Sequence, residues 1–109
     1  MVVDLDLSDA EVDRLFKALA DATRRDIVRR TLVAGASVTE LARHYDMSFA
    51  AVQKHVAVLE AAGLVAKEAS GRQRIVHGQP RTIERAQALL DHYEQIWRSR
   101  IDRLDQLLD

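Results

Sequence analysis

Four side chains in the stretch Ser48 to Gly63, SFAAVQKHVAVLEAAG, are of the kinds that can read a nucleic acid. The amide of Gln53 donates and accepts side by side, the pair that matches adenine in a major groove. Lys54 can donate to guanine O6/N7 or to phosphate, and Phe49 and Ala50 can meet thymine methyls. If the stretch is a helix, these four and Ala57 share one side. Val52, Val56 and Leu59 recur on the other side at the spacing of a buried stripe. The outward face is poor in carboxylates and short in side chains, so neither charge nor bulk keeps it out of a groove. Ser48 suits the N-cap and can touch phosphate, and Gly63 suits the C-terminal stop. His55 borders the inward stripe, which makes it a structural or phosphate-contacting histidine more than a base reader.

Other chemistry finds little purchase. The chain has no cysteine, so disulfides and thiolate metal sites are excluded. Its four histidines, His44, His55, His77 and His92, form no ligand cluster by spacing. The sequence offers no nucleophile–base pairing and no phosphate-cradling glycine loop, and its four glycines sit at turns. The expectation is a protein that is not an enzyme and needs no cofactor and no metal.

At 109 residues, 48% hydrophobic and 30% charged, the chain reads as one ordinary globular domain, 1–109. The net charge of −1 says less than its distribution. Asp4, Asp6, Asp9, Glu11 and Asp13 make the start acidic, whereas Lys67, Arg72, Arg74 and Arg81 face a single acid, Glu68, over residues 67–81. No apolar run approaches the roughly 20 residues that span a bilayer. MVVDLDLSDAE lacks the layout of a signal peptide. A cytoplasmic protein without membrane contact is expected.

The elements that must position these residues follow from caps and periodicity. Ser8–Glu11 is a capping box opening a helix to about Ala20, with Val12, Leu15, Phe16 and Leu19 on one stripe. Asp21 caps the next, to about Ala34, burying Ile27, Val28 and Leu32. Arg24, Arg25, Arg29 and Arg30 then form a solvated face with local ion pairs to Asp21 and Asp26. Ser37–Glu40 is a second capping box, for a short helix with Leu41, Ala42 and Tyr45 inward. Asp46-Met47 connects it to the Ser48 helix, and residues 37–62 read as a helix-turn-helix.

Residues 64–79 read as a β-hairpin: a strand Leu64–Ser70, turn chemistry at Ser70-Gly71-Arg72, and a return strand Gln73–Gly78 with Ile75 apolar. Placed after a helix-turn-helix, such a hairpin is a wing whose basic tip, Arg72 and Arg74, can contact DNA. Pro80 ends it, and Thr82 can cap a final helix to about Leu108. That helix is apolar over too wide an arc to be covered from one side. Residues 1–20 and 82–108 are therefore expected to pair with a second copy, through Val12, Leu15, Leu19, Leu90, Tyr93, Trp97, Ile101, Leu104 and Leu108. The expected class is mainly α with a small β-hairpin, a winged helix-turn-helix in the order α1-α2-α3-α4-β1-β2-α5.

This order, with FKALADATRRDIV (Phe16 to Val28) and VTELARHYDMSFAAVQKHVAVLEAAGLV (Val38 to Val65), resembles the ArsR/SmtB family of winged-helix repressors over nearly the whole chain. The resemblance implies a homodimer paired through its first and last helices. It implies a double-stranded, near-palindromic operator read by the two recognition helices in successive major grooves, with the wings outside. It also implies a repressor that often acts on its own operon. The family's base-reading positions fall on Phe49, Ala50, Gln53 and Lys54. The metal-sensing patterns of the family are missing. VTELARHYD carries no cysteine, Asp91 and His92 are adjacent where Asp-x-His is needed, and no histidine follows His92. The similarity is thus to the branch without metal ligands, and the sequence assigns no effector. A winged helix used only for protein–protein contact is the alternative, supported by the acidic first thirteen residues and the net charge.

Overall fold

The computed structural model describes residues 7–108, so Asp4 and Asp6 of the acidic start lie outside the described residues. The elements are α1 (Asp9–Leu19), α2 (Ala22–Val33), α3 (Val38–Ala42), α4 (Phe49–Ala61), β1 (Val65–Ser70), β2 (Gln73–Gly78) and α5 (Pro80–Leu108). Both expected capping boxes form: Ser8 with Glu11, and Ser37 with Glu40, each hydroxyl accepting from the backbone N–H three residues on. These contacts satisfy donors that a helix start leaves open.

The α1–α2 corner is built differently from the solvated arginine face expected there. Asp21 caps α2 by accepting from the Arg24 backbone at 3.0 Å. The Arg24 guanidinium turns back on α1, donating from Nε to the Ala18 carbonyl at 2.7 Å and from Nη2 to that of Lys17 at 3.1 Å. Arg25 donates to the Leu19 carbonyl at 2.8 Å. The last carbonyls of a helix lack partners within it, and cationic donors suit that end. Arg29 and Arg30 do pair locally, both with Asp26.

The core joins Leu15 and Ala18 of α1, Ile27 and Val28 of α2, Leu41 of α3, Val52, Val56 and Leu59 of α4, Leu64, Val65, Val76 and Ala86. Two expectations are corrected. Leu15, assigned to a partner's surface, is 1% exposed within its own protomer, because the Leu15–Ala18 edge of α1 is the one turned onto the core. Leu32 is 41% exposed, and Thr31 takes the inward place beside Ile27 and Val28. The Thr31 hydroxyl donates to the Ile27 carbonyl at 2.8 Å, which settles its polar group in the interior.

The hairpin pairs Val65 with Gly78 through to Ser70 with Gln73, antiparallel, and turns at Gly71, whose φ of 62° is left-handed. Its buried residues are Val65 on the first strand and Val76, not Ile75, on the return strand. At its root, Ala36 and Val76 exchange two backbone hydrogen bonds, of 3.1 and 2.8 Å, adding an isolated bridge to the two strands. Gly78 lies so close to α2 that a Cβ there would stand 2.8 Å from the Leu32 side chain and 2.9 Å from its backbone N. The final helix starts at Pro80, whose fixed φ suits a first turn, and not at Thr82. Thr82 instead donates to the Gly63 carbonyl at 2.5 Å, tying α5 to the end of α4.

Candidate nucleic-acid interface

Helix α4 is seated by Val52, Val56 and Leu59, all fully buried. Ser48 caps it, its hydroxyl accepting from Ala51 N at 3.1 Å, and no acid occupies the first turn. With the inner stripe fixed, Phe49, Ala50, Gln53, Lys54 and Ala57 are all exposed. Phe49 keeps 47% of its surface open, a large apolar group only half covered by its own protomer.

The hairpin brings its basic residues to that helix. Gln53 shares one groove with Ser37, Val38 and Thr39 at the start of α3 and with Lys67, Arg72, Gln73 and Arg74 of the wing. Among the described residues, no carboxylate lines it. Lys67, Thr39 and Gln73 were not among the expected site residues. Strand register carries the signal for Lys67: its partner is Val76 and that of Ala69 is Arg74, so Lys67 and Arg74 share one face of the ribbon. Lys67 Nζ stands 4.0 Å from Glu60 of α4, which holds it against the helix.

His55 turns its Nδ1 toward the α1–α2 corner, 3.3 Å from Arg24 Nη1, and its side chain is 21% exposed. A second polar group braces the helix-turn-helix from behind. Tyr45, just past α3, donates to Asp26 of α2 at 2.7 Å. Asp26 also accepts from Arg30 at 2.8 Å and Arg29 at 2.6 Å. The bond from Tyr45, then those from Arg30 and Arg29, hold the Asp26 carboxyl far below the usual carboxylate range. Burial first, and the Asp26 carboxylate second, push the Tyr45 hydroxyl up to about 12. The turn ahead of α4 is therefore anchored to α2 by an ionised acid and a neutral phenol.

Helix α5 has 29 residues, about 43 Å at the usual rise. Only Ala86 and Leu89 of it are buried. Leu90, Tyr93, Trp97, Ile101, Leu104 and Leu108 all lie exposed beyond them, in a chain 65 Å long and 26 × 24 Å across. On α1, Val12 and Leu19 are half-buried. Among the described residues, no group of three or more histidines and carboxylates stands together to hold a metal ion. No helix among them is long and apolar enough to cross a membrane.

A helical core that includes a helix-turn-helix, with a basic hairpin directly after it and an acid-poor second helix, defines a winged helix-turn-helix of the DNA-binding class. Residues 19–68 match the family described as "Helix-turn-helix domain". The chain is 36% identical over 97 residues to the HTH-type transcriptional regulator Rv2034 of Mycobacterium tuberculosis (strain ATCC 25618 / H37Rv), covering 89% of this chain and 88% of that one. Its fold is similar to that of an ArsR-like transcriptional regulator from Rhodococcus sp. RHA1, with a TM-score of 0.81 and 28% identity over 90% of this chain and 92% of the other. It is also similar to the ArsR family transcriptional regulator RHA00566, with a TM-score of 0.79 and 30% identity over 85% and 96%. The chain belongs to the ArsR family of winged helix-turn-helix transcriptional regulators.

Proposed function

We propose that this chain is a homodimeric repressor that recognises a near-palindromic operator and is not switched by a metal ion. The observation that carries the reading is the groove without carboxylates that unites Gln53 with Lys67, Arg72 and Arg74. In this reading Gln53 and Lys54 donate to base edges, and Phe49 and Ala50 meet thymine methyls. Ser48, His55 and the wing arginines hold phosphate or the minor groove, fixing register without reading sequence. Residues 37–62 and 64–79 then form the DNA-binding half of a single domain.

The other half, residues 1–20 and 82–108, forms the dimer. The exposed apolar side of α5 supports this, because a second copy of the same surface covers it under two-fold symmetry. Val12 and Leu19 on α1 join Leu90, Tyr93, Trp97, Ile101, Leu104 and Leu108 there. Pairing sets two α4 helices about 34–36 Å apart, one turn of B-DNA. Repression follows by occupancy of a promoter. Metal switching is set aside because there is no cysteine and Asp91 and His92 stand side by side.

Footprinting of the protein on the promoter of its own gene tests the reading. A protected segment with two-fold symmetry is expected. Binding only to random duplex at low salt, with no protected segment, refutes it.

A further inference from the structure

We infer that Arg24 is a positioning residue for DNA recognition: it ties the end of α1 to α4 through His55, and so sets the angle at which the recognition face meets the operator. The inference rests on the reading of α4 as the recognition helix and of α1 as part of the dimer.

A guanidinium has donors pointing in several directions and no acceptor. Arg24 spends Nε and Nη2 on the carbonyls of Ala18 and Lys17, at 2.7 and 3.1 Å. Those two bonds lock its plane to α1. Nη1 then points at His55 Nδ1, 3.3 Å away on α4. Because Arg24 can only donate, Nδ1 must accept, and the proton of the neutral ring sits on Nε2. The other group near the ring, the Asp21 carboxylate, is 3.9 Å from Nδ1, beyond hydrogen-bond reach. Asp21 is occupied with the Arg24 backbone N–H. One side chain thus bridges the end of one helix, the start of the next and the middle of a third.

The place of His55 gives this bridge its consequence. It is one residue from Lys54 and two from Gln53. The apolar stripe beneath α4 fixes how deep the helix sits. It also fixes which face of α4 points outward, but it sets no directional tie between α4 and α1. A hydrogen bond fixed to α1 supplies direction. In a dimer built on α1 and α5, the angle of α4 to α1 is also its angle to the two-fold axis, and hence sets half-site separation.

Arg25 is an internal control. It makes the same kind of contact to α1, 2.8 Å to the Leu19 carbonyl, and among the described residues it donates to no side chain of α4. The test measures the affinity of the full chain for duplexes carrying the footprinted half-sites with the central spacer lengthened or shortened by one base pair. It is run well below each variant's Tm, with dimer mass checked. Arg24→Ala and His55→Leu should each shrink the preference for the native spacer by about tenfold. The double variant should flatten the spacer preference little more than Arg24→Ala alone, because the Arg24–His55 bond is already gone there. Arg25→Ala should lower Tm and keep the spacer preference. His55→Gln, whose carbonyl can accept from Arg24, should retain more of the preference than His55→Leu. Equal flattening by Arg25→Ala, an unchanged spacer ranking in Arg24→Ala, or full additivity of the two changes overturns the inference. A wild-type chain with no preferred duplex refutes the proposed function instead, so the two failures are distinct. Should Arg24→Ala fail to fold, the comparison of His55→Gln with His55→Leu decides, equal behaviour counting against the bridge.

Discussion

Replacing Tyr45 by Phe removes one oxygen and leaves the ring, so its effect isolates the bond to Asp26. That bond is 2.7 Å long and ends on an ionised carboxylate. Bonds of this kind contribute about 1.5–3 kcal/mol. The Asp26 side chain is 29% exposed, so water takes part of the vacated place and the cost falls to about 1–2 kcal/mol. For a domain of this size that is about 4–8 °C in Tm. The effect should depend on pH in a set way. The Tyr45 hydroxyl is pushed up to about 12, above its value in the unfolded chain. Its contribution is present below about pH 10 and fades as pH rises towards 12. Asp26 is held below its unfolded value, so its contribution is present above about pH 4 and is lost under acid. The difference in Tm between wild type and Tyr45→Phe should therefore be a plateau that narrows at both ends. Thermal unfolding by circular dichroism, at one protein concentration across pH, measures it. A difference under about 1 °C at neutral pH, or one that stays constant into the alkaline range, would refute the brace.

Gln53→Ala should relax operator preference at a cost of about 1–3 kcal/mol, and an unchanged preference in gel-shift titrations would misplace the groove face. Arg72→Ala and Arg74→Ala should weaken binding to every sequence and each reduce the log–log salt slope by about 1, read from affinity against salt. Leu104→Asp should sediment as a monomer and lose the operator, since it sets a charge within the apolar side of α5. Gly78→Ala forces a Cβ onto the Leu32 side chain and its backbone N, at 2.8 and 2.9 Å, and should lower stability by about 1–3 kcal/mol in urea unfolding.

What the sequence made legible was local. The capping boxes at Ser8 and Ser37, the caps Asp21 and Ser48 and the turn at Gly71 depend on neighbours within a few residues, and all formed. The exposed face of α4 was legible because three aliphatics mark its opposite side. Which edge of a broad apolar stripe turns inward was not. On α1 the small Ala18 decides it with Leu15, and on α2 a threonine displaces Leu32. The roles of Arg24 and Arg25 were hidden for another reason. Their acceptors are backbone carbonyls, which leave no mark in a sequence. Thr39, Lys67 and Gln73 join the groove only because the hairpin folds back onto the start of α3, a long-range event.

The bridge between Ala36 and Val76 stitches the foot of the hairpin to the segment that links α2 to α3. A ribbon fastened there cannot flap as a loose arm. Arg72 lies beyond that fastening, at the free end of the ribbon, so a lever arm runs from the stitched foot to the fingertip that would grasp the duplex.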